Sequence, residues 1–200
     1  MSLSTTAFIF IGYQNDYFAA DGILRGVVEE AGRTRNILAN SLALLSALEG
    51  HQTTLIQTPI IFTADYSELL NPVGILKVIQ EVGAFKQGSP GAEIIDEFKA
   101  QGERISVVEG KRGLNAFSNT ELDNLLTERG ITRIVLAGAV TSICIDSTGR
   151  AAHERGFSVT VLSDCTASRS QMEQDFYCDN IFPLYARVTD SQSLLTELRD

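Results

Sequence analysis

Histidine is nearly absent from this chain, with two residues, His51 and His153, among 200. Cysteine is almost as sparse: Cys144, Cys165 and Cys178 are odd in number, far apart and free of any C-x-x-C spacing, which argues against both a disulfide framework and a zinc knuckle. What remains is a free thiol available for reactive use. No apolar run approaches the roughly 20 residues that cross a bilayer, and the stretch Met1-Ser2-Leu3-Ser4-Thr5-Thr6 lacks the basic region and long apolar core of a secretory signal. The expectation is a cytoplasmic protein with no membrane partner. No basic cluster interrupts the net charge of −9, so a phosphate backbone would be repelled and nucleic acid is excluded as a partner. Internal repeats and low-complexity tracts are also missing.

What is present is apolar content, 44% of the chain, enough for one domain over residues 1–200 with a substantial core. Short β-branched or aromatic runs recur at Ala7–Ile11, Pro59–Thr63, Ile105–Val108, Thr132–Ala137, Ser158–Leu162 and, more weakly, Leu184–Val188. They are continuous instead of alternating, as strands are when both faces of a parallel sheet are covered. Helical stripes lie between them: Leu38, Leu42, Leu45 and Leu48, then Leu122, Leu125 and Leu126 behind a capping-box pattern at Ser118 and Glu121. Further helices are expected near 91–101, 142–155, 168–180 and 190–198, with 64–91 as a long connection rich in Gly and Pro. This order predicts an α/β fold with three α/β/α layers around a mainly parallel, doubly wound sheet of about six strands.

In such sheets ligands gather beyond the carboxyl ends of the strands. That rule selects Gln14-Asn15-Asp16, Asp65, Lys111-Arg112 and Thr141-Ser142-x-Cys144, each just past a strand. His51 falls at the opposite end. His153 follows Cys144 by nine residues on one helix, where about 100° per residue turns it to the far face. A papain-like Cys-His pair is therefore excluded. Cys144 lies in the first turn of its helix, where unpaired N–H groups and the helix dipole favour a thiolate, and Lys111 is the nearest cation by topology. Together they predict an activated nucleophile.

These residues carry a family resemblance. Ile11-Gly12-Tyr13-Gln14-Asn15-Asp16-Tyr17 is similar to Ile-Asp-Met-Gln-Asn-Asp-Phe, and Lys111-Arg112-x-x-Asn115-Ala116-Phe117 to Lys-x-x-x-Ser-Ala-Phe. With Gly88-Ser89-Pro90-Gly91-Ala92-Glu93 and Gly138-x-x-Thr141-x-x-Cys144-x-x-x-Thr148-x-Arg150-x-Ala152, the chain resembles the isochorismatase-like superfamily of cysteine hydrolases. The resemblance implies a triad in which a Cys attacks a carbonyl carbon, a Lys stabilises the thiolate and an Asp shuttles the proton. Lys111 and Cys144 match it, whereas Gly12 stands where the Asp is expected, leaving Asp16 as the substitute acid nearest in sequence. It also implies a cis peptide at Ala139-Val140, an oxyanion site at the N–H groups of Val140 and Cys144, and a pocket bounded by Gly12, Tyr17 and Phe117.

Metal-binding nicotinamidases of that superfamily carry Asp-x-His followed by another His; here the stretch is Asp65-Tyr66-Ser67, so neither a metal nor any other cofactor is expected. The implied function is cleavage of a C–N bond in a small amide or carbamoyl substrate through a Cys144 thioester, in a dimer or tetramer. The alternative is a weak or inactive relative that binds a small molecule or serves a structural role.

Overall fold

The computed structural model describes residues 2–28 and 31–199, with the side chains of 31–35, 198 and 199 outside that description. Six strands form one sheet: β1 (Thr6–Ile11), β2 (Thr54–Thr58), β3 (Ser106–Val107), β4 (Arg133–Ala139), β5 (Ser158–Ala167) and β6 (Arg187–Thr189), in the order β3-β2-β1-β4-β5-β6. Every pairing is parallel. The chain winds outward from β1 to β3, then returns to β4 on the other side of β1. The switch point between β1 and β4 is thus where a crevice opens beyond the strand ends.

All six residues of β1 are buried because both faces of the sheet are covered. Phe8 and Phe10 join Leu44, Leu45, Leu48 and Leu194 on one face, which packs under α2 (Ala31–Ala47) and α8 (Ser191–Arg199). Ala7, Ile9 and Ile11 join Leu122, Leu126, Ala151 and Ala152 on the other, under α5 (Leu122–Glu128) and α6 (Asp146–Glu154). The strand's two-residue period sorts its side chains between these two cores. The expected three-layer α/β architecture is what the chain adopts.

Several local expectations need correction. The second strand is Thr54–Thr58, five residues ahead of the expected Pro59–Thr63. Pro59 has no N–H to give a ladder, and beyond it Ile60 and Phe62 make single bridges to Lys111 and Lys86. The connection 64–91 contains a helix, α3 (Gly74–Val82), whose Ile75, Leu76 and Ile79 recur at helical spacing toward the core. The expected helix at 91–101 contracts to one turn, α4 (Asp96–Lys99), and that at 168–180 divides into α7 (Gln171–Phe176) and a π turn over Tyr177–Ile181. Ser118 and Glu121 form no capping box: α5 begins at Leu122, whose N–H donates to Thr120 Oγ1 at 3.3 Å.

Candidate active site

Two elements bring the thiol and the ammonium together. Beyond β4 the chain enters a π turn, Thr141–Ile145, in which the N–H of Ile145 donates to the carbonyl of Val140 five residues back at 3.2 Å. This wide turn carries Cys144 just ahead of α6, and turns of this kind recur at functional positions. Beyond β3, Lys111 bridges Ile60 in parallel register, with the Ile61 N–H donating to the Lys111 carbonyl at 3.3 Å. The Lys111 side chain is fully buried, and its Nζ lies 3.6 Å from Cys144 Sγ. Nζ also donates to the Gly113 carbonyl. Burial lowers the Lys111 pKa from its ordinary value, an effect partly reversed by the charge and hydrogen bond of Cys144. Among the described residues Lys111 forms no ion pair with a carboxylate.

Gly12, just past β1, lies at the switch point with φ +77°, in the left-handed region that glycine adopts readily. A Cβ at this position would stand 3.1 Å from the Ala139 carbonyl and 3.3 Å from Cε2 of Tyr17. The ring of Tyr17 therefore closes the space beside Gly12. Tyr17 is buried, and it shares with Cys144 a cavity of about 10 Å³ walled by Ile60, Ile75, Leu76, Ile79, Leu114 and Ile143. Burial, then the neighbouring Cys144 and Asp16, hold the phenol's pKa well above its ordinary value. Tyr17 remains a proton donor. The Ala139–Val140 peptide is cis and links the end of β4 to the Cys144 turn.

Asp16 and Phe117 point elsewhere. The Asp16 carboxylate accepts the Phe85 N–H at 2.6 Å and presses on Gly91, facing a separate cleft with Asn15, Gly22 and Pro90. Burial raises its pKa against the pull of the Phe85 and Ile23 N–H groups. The structure thus gives Asp16 the task of joining α1 (Asn15–Phe18) to the 85–91 segment, away from the sulfur. Phe117 stacks on Phe157 with ring centroids 6.2 Å apart and lies beneath the Arg155 guanidinium at 4.6 Å, in core packing and not in the Cys144 cavity. His51 and His153 are both exposed.

Sequence reasoning placed one contributor at this edge without a role and missed another. Gln14, fully buried, donates from Nε2 to the carbonyls of Ile60 (2.8 Å) and Ala92 (2.7 Å), and its Oε1 accepts the Ile60 N–H at 2.7 Å. One amide thereby fixes the backbone that carries Lys111's bridge partner. The other is α3, whose inner face roofs the cavity; its signal was the 3-to-4 spacing of Ile75, Leu76 and Ile79.

Asp65 caps a turn, its Oδ1 accepting from Thr63 Oγ1 at 3.0 Å and from the Ser67 N–H at 3.1 Å. Among the described residues no group of three or more His, Cys, Asp or Glu is placed to hold a metal ion. A carboxylate engaged in a turn, without imidazole neighbours, does not fit the divalent metal of the nicotinamidases.

Comparison with known proteins identifies the family and the fold. The family model for the isochorismatase domain matches residues 6–193. The chain belongs to the isochorismatase family. It is 29% identical over 202 residues to the isochorismatase family protein YecD of Escherichia coli O157:H7, covering 99% of this chain and 98% of that protein. It is 25% identical to nicotinamidase 3 of Arabidopsis thaliana over 70% of this chain and 71% of the relative. Among solved structures, a cysteine hydrolase from Pseudomonas syringae pv. phaseolicola 1448A superposes with a TM-score of 0.88 at 22% identity, covering 100% and 94% of the two chains. The isochorismatase fold is therefore shared throughout.

Proposed function

We propose that this isochorismatase family protein is a cysteine hydrolase that cleaves a C–N bond of a small amide or carbamoyl compound through a thioester at Cys144. The observation that carries the reading is the 3.6 Å approach of a fully buried ammonium to the sulfur. An ammonium held there favours the thiolate, the nucleophilic form. The N–H groups of Val140 and Cys144 serve as oxyanion donors in this proposal. The match to a relative named as a nicotinamidase supports amide chemistry, while the walls contributed by Ile75, Leu76, Ile79 and Ile143 favour an uncharged, apolar acyl group. A cavity of about 10 Å³ holds roughly one water, so α3 must shift to admit substrate. Metal independence, a cytoplasmic location and assembly as a dimer or tetramer belong to the same proposal and rest on the sequence reading.

The test is mass spectrometry of the protein incubated with a panel of small uncharged amides and the corresponding p-nitrophenyl esters. An acyl adduct on the Cys144 peptide is the expected result. No adduct and no turnover across the panel would contradict the reading.

A second reading, an inactive relative that binds a small molecule or acts structurally, is favoured by the closed cavity and by the side-chain-free position at Gly12. Gly12→Asp separates the two. The substitution forces a carboxylate side chain into a left-handed conformation and against Tyr17, which costs about 1–2 kcal/mol and lowers Tm by roughly 2–8 °C. With the hydrolase reading, displaced Tyr17 also obstructs the cavity and existing activity falls. Activity appearing in a previously inert protein would instead favour the second reading.

A further inference from the structure

The mechanism above leaves one proton without a carrier, because an amide nitrogen must be protonated before it departs. Position 12 has no side chain and Tyr17 fills its space. Asp16 is bonded to the Phe85 N–H, and both histidines are exposed. The phenol of Tyr17 retains its proton and cannot act as a base toward water. Lys111 Nζ, by contrast, touches the sulfur directly and is balanced by no carboxylate among the described residues.

We propose that Lys111 is the acid and base of this site as well as the partner of the thiolate, carrying one proton out and back in each cycle. This inference rests on the hydrolase reading. The resting pair is Cys144 thiolate and Lys111 ammonium. Sγ bonds to the carbonyl carbon, the ammonium gives its proton to the leaving nitrogen, and the C–N bond breaks; the amine leaves behind a thioester and a neutral Lys111. Water then adds to the thioester carbon while Lys111 takes one of its protons. The C–S bond breaks, the acid is released, and thiolate and ammonium are restored. A lysine can work both ways only if its ordinary preference for the proton is weakened, and the full burial of Lys111 does that.

The experiment compares acylation of Cys144 by two substrates sharing an acyl group, an alkyl amide and a p-nitrophenyl ester. The ester's leaving group needs no proton. Lys111→Arg keeps the charge but surrenders its proton poorly, so amide acylation should fall at least about 10²-fold further than ester acylation. Tyr17→Phe should slow both substrates alike. Equal losses on both substrates in Lys111→Arg, or an amide-selective loss in Tyr17→Phe, would overturn the inference while leaving a Cys144 hydrolase standing. Failure of the wild type to acylate with either substrate would remove both. A second measurement needs no variant: hydrolysis of the preformed wild-type thioester should accelerate with pH and then level off once Lys111 is neutral. A rate proportional to hydroxide throughout, or independent of pH, would overturn it as well.

Discussion

Replacing Cys144 by alanine is expected to reduce turnover at least about 10⁴-fold while leaving the protein folded. The size follows from what is removed: without the sulfur there is no covalent intermediate, and only binding and any oxyanion stabilisation remain. The fold should survive because the change deletes a single heavy atom from a buried turn held by its own backbone, including the Ile145-to-Val140 hydrogen bond. Lys111 loses one neighbour but keeps the Gly113 carbonyl, and its lowered pKa lets it shed its charge instead of unfolding the site. Steady-state kcat on whichever panel member reacts, with Tm as the control, gives the answer. Activity within tenfold of the wild type would place the nucleophile elsewhere.

Gly138→Ala should produce the largest loss of stability of any conservative change near the site. Gly138 pairs with Ile11 at the centre of the sheet and has φ +122°, a region closed to side chains. A Cβ there would stand 1.9 Å from the Ile11 carbonyl oxygen. Neither partner can yield, since one is β1 backbone and the other is β4 backbone at the point where the β4–β5 register shifts. The cost is about 4 kcal/mol or more, a large share of the total stability of an ordinary domain. Calorimetry should show Tm lower by roughly 8–16 °C, or no cooperative transition at all. A change of less than about 2 °C would mean that the two strands are not packed as described. Cys144 would also lose its placement, because β4 leads directly into its turn.

The central strands were legible because β1 and β4 are nearly uninterrupted apolar runs, as strands buried on both faces must be. β2 was not, since the polar Gln57 and Thr58 interrupt its apolar pattern and the run after them read as the strand. In fact Gln57 is buried with its amide donating to the Tyr13 carbonyl at 3.3 Å, a compensation visible only in three dimensions. α3 was hidden by the Gly and Pro that punctuate its neighbourhood, although its inner stripe was present in the sequence. Cys144 and Lys111 could be brought together on paper because a parallel sheet aligns the ends of its strands. Asp16 could not be placed in the same way: consecutive residues on a helical turn diverge by about 100°, so Tyr17 and Asp16 point in different directions, and the Asp16 carboxylate is taken up by the Phe85 N–H. Phe117 was misplaced for a related reason. The Ala116 N–H is bonded to Thr148 Oγ1 at 3.1 Å, and that anchor turns the next ring toward Phe157 and away from the cavity.

The pairing of sulfur and ammonium can be tested without knowing the substrate, by peptide-resolved iodoacetamide labelling across a pH series in the wild type and in Lys111→Met. Cys165, whose thiol is pushed up to about 12 by burial and by Asp164, sets the unreactive reference. Cys144 should be labelled well ahead of Cys165 as the pH is raised, and removing the ammonium should slow it. Labelling of Cys144 that tracks Cys165, or that is indifferent to Lys111, would contradict the account.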